Sequence, residues 1–283
     1  MRNVSESTLT QAVVRSFDGA ADPRFKTVIE SLVRHLHAFA REVKLTPEEW
    51  KAGIDFLYRA GQISDEKRNE FILSSDVLGL SSLVDMLQSD TGATERSALG
   101  PFHSEGSPAL AVGGDLKQAN EGEVLLVHGR VLEESGQPVA GAQLDFWQAA
   151  LNGKYWQQDP AQHPHNLRCR MTTGADGVYA FTTVQPAPYS VPYDGPVGDL
   201  LRAGGRHAWR PAHFHFIVGA KGFRALTTEV FFSGDTYLDS DAIFGVRESL
   251  VVTVERSQDA ALAKRYGLTT PFQQVAFDFR LSR

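Results

Sequence analysis

The sequence predicts an α+β protein in which a helical N-terminal region precedes an antiparallel β-sandwich. Apolar residues recur at helical spacing in the first hundred positions. Near residue 105 the pattern changes to short alternating runs, separated by turns rich in glycine and proline. We therefore expect two domains, a helical one over residues 1–104 and a β-sandwich over residues 105–283.

The helical region opens with an apolar stripe, whose residues all fall on one face of a helix. These residues are Phe25, Val28, Ile29, Leu32, Leu36, Phe39 and Val43. The segment LTPEEW predicts the next helix, because Thr46 can serve as its N-cap and Glu49 can complete a capping box. Ser64 is expected to cap a third helix, and the segment SSDVLGLSSLVDML predicts a fourth that begins near Ser75.

Seven short runs in the second region have the pattern of strands. They cover residues 123–131, 142–149, 177–184, 211–219, 226–232, 249–255 and 274–281. Two long stretches, Asn152–Ala175 and Pro186–Arg210, lack this pattern and are expected to be irregular. Loops of such length within a compact β-domain commonly contain functional residues.

The composition is that of an ordinary globular protein, with 42% apolar residues in a chain of 283. A formal net charge of −6 argues against a nucleic-acid partner, because phosphate binding needs a basic face. No apolar run is long enough for a membrane span, and the first residues lack the apolar stretch of a secretory signal. The single cysteine, Cys169, excludes a disulfide framework, and we expect a cytoplasmic protein.

The sharpest local pattern is the segment PAHFHF, which lies in one of the predicted strands. Residues two apart on a strand point the same way, so His213 and His215 share one face while Phe214 and Phe216 share the other. Two imidazoles on one face can bind one metal ion, although histidine pairs also occur as ordinary packed or solvated side chains. No carboxylate has a sequence spacing that would complete a two-histidine, one-carboxylate site near this strand.

Tyrosines in the two long stretches are further candidate ligands: Tyr155 in the first, and Tyr189 and Tyr193 in the second. A phenolate is a hard anionic donor, which suits a hard cation such as ferric iron. The residues alone leave three interpretations open. They fit a ferric site, a hydrolase with zinc at the histidine pair, or a non-catalytic β-sandwich binding module in which the tyrosines only pack.

A series of motifs, in order, resembles the intradiol ring-cleavage dioxygenases: GKYW, NLRCRMTTGADGVYAF, PAPYSVPYDGP and RPAHFHF. The resemblance covers essentially the whole chain. It implies that the β-sandwich is catalytic, with one non-haem Fe(III) ion per subunit, and that a small aromatic diol or triol reacts with O2. It also implies a homodimer formed through the N-terminal helices, with phospholipid bound there.

The same resemblance assigns the iron ligands, which are Tyr155, Tyr189, His213 and His215. Tyr193 is the rival of Tyr189, but the family pattern YxVPxDGP places the ligand at its first residue. In the family, the second tyrosine leaves the iron when substrate binds and takes one substrate proton. That role as ligand and general base falls here to Tyr189.

Two further positions follow from the resemblance. Arg210 corresponds to the family arginine that stabilises negative charge developing near the ring. Glu229 departs from the family, because relatives that cleave catechol commonly have a glutamine there. A carboxylate beside an anionic iron centre is unfavourable unless it is protonated or paired with Arg210, so the role of the glutamine does not transfer directly.

The expected substrate is hydroxyquinol (benzene-1,2,4-triol), opened to maleylacetate, and catechol, opened to cis,cis-muconate, is the alternative. The segments GPFHSEGSP, VPYDGPVGDLL and DAIFGVRESLVV resemble the branch of the family that cleaves hydroxyquinol. A third hydroxyl needs a polar partner, for which Asp76 is the candidate, although a carboxylate near a helix N-terminus is an equally ordinary feature. The other expected pocket residues are Leu73, Ala98, Leu99, Gly100, Pro101, Phe102, Val191, Pro192 and Glu229.

Overall fold

The structure, a computed structural model, describes residues 4–65 and 68–283. The chain forms two compact units, Met1–Arg59 and Ala60–Arg283. The division between these units falls inside a helix, whereas the sequence predicts a domain boundary at 104/105, and the domain assignment stays a prediction. In the described part of the chain, no helix has both the length and the apolar character needed to cross a membrane.

The first unit is helical, as the sequence predicts, and contains α1 (Glu6–Arg15), α2 (Pro23–Glu42) and most of α3 (Pro47–Ile63). The expected capping box begins α3: the Thr46 amide donates to the Glu49 carboxylate (2.9 Å), and the Glu49 amide donates to the Thr46 hydroxyl (3.2 Å). The apolar stripe lies along α2, none of whose residues is buried. Leu36, for example, is 55% exposed, so the stripe is an uncovered apolar face.

The described part of the second unit contains the end of α3 and four further helices: α4 (Glu70–Val77), α5 (Leu80–Leu87), α6 (Pro196–Ala203) and α7 (Ala260–Arg265). Ser64 does not cap a helix, contrary to the prediction. Its hydroxyl donates to the Ala60 carbonyl (2.7 Å) and accepts from the Glu70 amide (3.0 Å), which ties the end of α3 to the start of α4. Asn69 caps α4 instead, because its side chain accepts from two amides of the first turn.

The single helix predicted from near Ser75 is wrong. Ser75 lies inside α4, and the chain turns at Gly79 (φ 75°) before α5 begins. A residue in the left-handed region interrupts helical hydrogen bonding, and glycine adopts that conformation without steric cost. The sequence pattern therefore merged two short helices into one.

Two sheets and a short pair contain the strands of the described chain. The strands are β1 (Gly114–Asp115), β2 (Leu125–Glu133), β3 (Gln143–Gln148), β4 (Arg168–Thr172), β5 (Val178–Thr183), β6 (Tyr189–Ser190), β7 (Trp209–Arg210), β8 (His213–Gly219), β9 (Leu226–Phe232), β10 (Val251–Val252), β11 (Glu255–Ser257), β12 (Phe272–Ala276) and β13 (Phe279–Leu281). The first sheet has the order β1-β5-β2-β12-β11, with β13 also beside β2, and the second has the order β10-β9-β8-β3-β4. Strands β6 and β7 pair with each other.

Most neighbouring strands are antiparallel, but β1 with β5, β9 with β10, and both β12 and β13 with β2 are parallel. The expectation of antiparallel pairing is wrong for these four pairs. Parallel neighbours need a long connection that returns the chain to the same end of the sheet. Residues 233–250 form such a connection between β9 and β10, and they include two short 3₁₀ turns.

Regular elements also lie in the stretches expected to be irregular. Strand β4 lies in the first stretch, and β6, β7 and helix α6 lie in the second. Strand β4 pairs with β3 along five residues, and a pairing with a distant strand is invisible in a local pattern that includes Arg168 and Arg170. The predicted strand 249–255 is divided as well, since β10 belongs to the second sheet and β11 to the first.

One buried apolar cluster contains side chains from both sheets. Phe146 on β3 lies 4.5 Å from Phe181 on β5, measured between ring centroids. Phe214 and Phe216 of β8 belong to the same cluster, whereas the histidines that alternate with them do not. The predicted alternation along β8 is confirmed, and it leaves the histidines free for another role.

Candidate active site

Strand β8 presents two histidines next to a carboxylate of β9. His213 Nε2 and His215 Nε2 lie 3.1 Å apart, and both side chains are buried. In the register of the sheet, His215 is opposite Glu229, whose Oε1 lies 3.4 Å from His213 Nε2. Sequence spacing gave no sign of this carboxylate, because a neighbouring strand supplies it.

Two loop tyrosines complete the cluster. Tyr155 follows β3, and its Oη lies 3.1 Å from His215 Nε2. Tyr189 is on β6, with its ring centroid 5.6 Å from that of Tyr155 and 5.5 Å from that of His213. The rival Tyr193 is elsewhere, since its hydroxyl donates to the Arg206 carbonyl (3.4 Å). The structure therefore brings together the four predicted ligands, and we name Tyr155, Tyr189, His213 and His215 the Tyr–His cluster.

Burial controls the protonation states in the Tyr–His cluster. It lowers the pKa of both His213 and His215, and nearby positive charge adds to this effect. Neutral imidazoles are the form that binds a metal. His213 Nδ1 contacts the Pro211 carbonyl (2.8 Å), and donation from Nδ1 leaves the lone pair of Nε2 directed at the cluster.

The tyrosines show the opposite effect, because burial raises the pKa of Tyr155 and Tyr189. A phenolate here needs a strong positive charge beside it. Two neutral imidazoles and two phenols in one buried cluster therefore suit a hard, highly charged cation.

Arg210 lies on β7, directly opposite Tyr189, and is fully buried. It donates to both oxygens of Glu229 (2.7 and 2.9 Å) and to both oxygens of Asp241 (3.0 and 3.2 Å). Burial raises the pKa of Glu229, but Arg210, together with His213 and the Ser97 hydroxyl, holds this pKa below its ordinary value. The carboxylate at position 229 is therefore paired with Arg210, as the sequence requires of an ionised glutamate there.

Asp241 and Ser97 also belong to this group of contacts, and neither was predicted from the sequence. Asp241 also accepts from the Gly245 amide (2.9 Å), and the Ser97 hydroxyl donates to Glu229 Oε2 (2.7 Å). Asp241 lies in a connection between strands, where no spacing rule links it to Arg210. An aspartate in DAIFGVRES was the available signal, but its partner is defined only by the fold.

The segment from Ala98 to Phe102 lies against the Tyr–His cluster. Gly100 has φ +71°, and a Cβ at this position would lie 2.9 Å from His215 Cε1. Phe102 stacks on Tyr155, with ring centroids 4.4 Å apart. The other three expected wall residues of the segment are half-buried or exposed, namely Ala98, Leu99 and Pro101.

The remaining expected pocket residues come from α4 and from the chain after β6. Leu73 and Val191 are buried, Pro192 is half-buried, and Asp76 is half-buried within α4. Burial raises the pKa of Asp76, while a hydrogen bond from Ser81 and the charge of Arg210 act against that rise. Arg210 thus acts electrostatically on both Asp76 and the Tyr–His cluster.

A separate cavity of about 710 Å³ opens on another part of the second unit, where His103, Asp145, Arg170 and Ile217 contribute to its lining. Of the described residues that line it, none belongs to the Tyr–His cluster or to the expected pocket.

Two family models match the chain. The model described as "Catechol dioxygenase N terminus" matches residues 22–95, and the model described as "Dioxygenase" matches residues 100–283. The second model covers more than half of the chain and includes the whole Tyr–His cluster. The chain belongs to the intradiol ring-cleavage dioxygenases.

Relatives of this dioxygenase are similar over nearly their full length. The 6-chlorohydroxyquinol 1,2-dioxygenase of Cupriavidus pinatubonensis (strain JMP 134) is 48% identical, over 92% of this chain and 95% of that protein. The hydroxyquinol 1,2-dioxygenase of Rhizobium sp. (strain MTP-10005) is 44% identical, over 98% and 96%. The solved hydroxyquinol 1,2-dioxygenase of Pseudomonas putida DLL-E4 has a TM-score of 0.89 at 46% identity, and 98% of each chain is covered.

The family uses non-haem iron, and the described residues of this dioxygenase contain one group of histidines and acidic residues close enough to hold a metal: His213, His215 and Glu229. Both oxygens of Glu229 are occupied by donors from Arg210, which leaves the two histidines and the phenol oxygens as the better donors.

Proposed function

We propose that this dioxygenase cleaves hydroxyquinol between its adjacent hydroxyl-bearing carbons with O2, giving maleylacetate (3-hydroxy-cis,cis-muconate). One non-haem ferric ion per subunit would be held by Tyr155, Tyr189, His213 and His215. The observation that carries the proposal is the meeting of Tyr155 Oη and two histidine Nε2 atoms, each 3.1 Å from the next, in a buried site. The names of the hydroxyquinol 1,2-dioxygenase relatives support the substrate.

The residues of the chain have distinct roles in this proposal. Ferric iron, when bound, would act as a Lewis acid, which favours the ionised form of a diol. Tyr189, opposite Arg210 on the β6–β7 pair, is the general base that takes one substrate proton. Arg210 is oriented by Glu229 and Asp241, and it stabilises negative charge that develops on the ring. Burial of the Tyr–His cluster excludes water from the reacting carbons.

Substrate selection rests on the pocket residues. Leu73, Val191, Pro192 and the segment from Ala98 to Phe102 form an apolar wall, and the Asp76 carboxyl pairs with the third hydroxyl. Asp76 suits this role because it is half-buried on α4 and under the electrostatic influence of Arg210. A helix N-terminal function is less suited to Asp76, which lies in the last turn of α4.

The Asp76→Ala variant tests the substrate assignment. We expect its kcat/KM for hydroxyquinol to fall about 10-fold or more, since leaving a hydroxyl unpaired costs roughly 1–3 kcal/mol. Catechol lacks that hydroxyl, so its kcat/KM should change less than about 3-fold. Asp85→Ala on α5 is the matched control, because Asp85 is also half-buried and its pKa is also raised by burial. Equal losses on both substrates would mean that Asp76 does not pair with the third hydroxyl.

The proposed function as a whole is tested by O2 uptake with hydroxyquinol and catechol in parallel, together with product identification. Preference for hydroxyquinol with maleylacetate as product supports the proposal. Preference for catechol with cis,cis-muconate supports the alternative activity. A colourless protein with zinc would indicate a hydrolase, because ferric tyrosinate centres absorb visible light, and a protein without a bound metal would indicate a binding module.

The assembly we propose is a homodimer formed through the helical region 1–104, with phospholipid bound there and a β-sandwich catalytic domain over 105–283. The uncovered stripe on α2 supports it, since an apolar face of this length is typical of an interface. We propose that this homodimer is located in the cytoplasm.

The Leu36→Glu variant tests the dimer, because it places a buried charge in the proposed seam. We expect this variant to sediment as a monomer and the wild type as a dimer. Thr27→Glu is the control: Thr27 is exposed on the side of α2 away from the stripe, so this variant should remain dimeric. A Leu36→Glu variant with the mass of the wild-type assembly would place the dimer contact elsewhere.

A further inference from the structure

Arg168 on β4 is a buried cation without a carboxylate partner. Its side chain is 1% exposed, and among the described residues no carboxylate lies within ion-pair distance of it. Its Nε atom is buried without a hydrogen-bond partner. Burial lowers the pKa of Arg168 to about 10. Tyr155 and Asp145 act against this fall, but neither is an ion-pair partner, and a buried charge without such a partner is costly.

The remaining nitrogens of Arg168 donate hydrogen bonds to the segment that follows Gly100 and to Gln157. Nη2 donates to the Phe102 carbonyl and to Gln157 Oε1 (3.2 Å), and Nη1 donates to the Ser104 hydroxyl (3.0 Å). Gln157 Nε2 donates to the same Phe102 carbonyl (2.9 Å). One backbone carbonyl is thus held by two side chains, one buried and one exposed.

The Phe102 carbonyl is attached to a residue that contacts the Tyr–His cluster. The Phe102 ring stacks on Tyr155 at 4.4 Å and meets Tyr189 edge-on at 6.5 Å. Gly100, two residues earlier, lies against His215 with no room for a side chain. A shift of the Phe102 backbone would therefore change the wall on the side of Tyr155 and on the side of His215.

Resting on the proposed function, we propose that Arg168 is a positioning residue: by holding the Phe102 carbonyl, it fixes the wall from Ala98 to Phe102 and so sets how tightly the aromatic substrate fits. The planar guanidinium can donate to Phe102, Ser104 and Gln157 at the same time, whereas a lysine ammonium lacks the fixed fork. Arg168 touches no reacting atom in this proposal, and its effect passes through the wall.

The test compares Arg168→Met and Arg168→Lys with Arg170→Met, in which the neighbouring arginine on β4 is exposed. In the protein without substrate, we expect amide hydrogen exchange in residues 99–104 to rise about 10-fold or more in Arg168→Met, by an intermediate factor in Arg168→Lys, and not in Arg170→Met. KM for hydroxyquinol should rise about 10-fold in Arg168→Met, while kcat changes less than about 3-fold.

Gln157→Ala is a second variant for the case in which Arg168→Met does not fold. Gln157 is exposed and shares the Phe102 carbonyl, so its loss should give a smaller change in the same direction in both exchange and KM. Unchanged exchange in residues 99–104 in the folded variants would overturn the proposal. So would a fall in kcat at constant KM, because it would assign Arg168 to the chemical step. The exchange measurement needs no turnover, so it still tests the wall if the wild type proves inactive on hydroxyquinol.

Discussion

The Tyr155→Phe variant is expected to lose the proposed iron and more than about 100-fold of its ring-cleavage activity, since even partners outside a ligand set change metal affinity 10–100-fold. The substitution removes only Oη, which lies 3.1 Å from His215 Nε2, and it keeps the ring that stacks on Phe102. The visible absorption of the proposed ferric tyrosinate centre should weaken together with the iron content. Metal analysis, the visible spectrum and O2 uptake measure these three effects.

Tyr179→Phe is the matched control for this prediction. Tyr179 is also fully buried, but its hydroxyl donates to the Phe277 carbonyl (2.7 Å) within the apolar cluster. We expect it to lose about 1 kcal/mol of stability and to keep its iron. A Tyr155→Phe protein with a full complement of iron and unchanged absorption would mean that Tyr155 is not a ligand.

The Arg210→Met variant should combine a large loss of stability with a loss of activity. It leaves Glu229 and Asp241 buried without their cation, and breaking a buried ion pair by removing one partner costs about 3–5 kcal/mol. Activity should fall more than about 100-fold, because the same guanidinium stabilises charge on the ring in the proposed mechanism. Urea unfolding and O2 uptake measure the two losses.

Two comparisons isolate the cause of the Arg210 effect. Arg256→Met removes the cation of an exposed pair with Glu123, and it should cost less than about 1 kcal/mol. Adding Glu229→Gln to Arg210→Met removes one uncompensated charge, so stability should partly recover while activity stays low. If Arg210→Met unfolds no more easily than Arg256→Met, the buried charge group contributes little to the fold.

The histidine face could be predicted because it depends on one strand. The two-residue period places Phe214 and Phe216 on one side of β8 and His213 and His215 on the other, and the apolar cluster follows that division. Tyr189 and Tyr193 could not be separated by spacing, since both follow prolines in one loop. The β6–β7 pair distinguishes them, because it places Tyr189 opposite Arg210.

Contacts between residues that are distant in the chain could be predicted only in part, or not at all. Pairing of Glu229 with Arg210 was expected only as one of two conditions, and its bidentate form depends on β7 and β9 lying close together in the fold. Asp241 and Arg168 were missed for the same reason, since one lies in a connection and the other in a strand defined by its pairing with β3. Ser64 failed as a helix cap because its hydroxyl serves the turn between two helices.

The alternation along β8 also makes the proposed metal site depend on the correct pairing of the strands. A slip of one residue in the pairing of β8 with β3 or β9 would turn both phenyl rings toward the tyrosines and both imidazoles into the apolar cluster. A chain with that error would lose the contribution of β8 to the apolar cluster together with the proposed site. Folding alone therefore brings the two proposed nitrogen donors together, because the register that buries the phenyl rings also places both imidazoles beside the tyrosines.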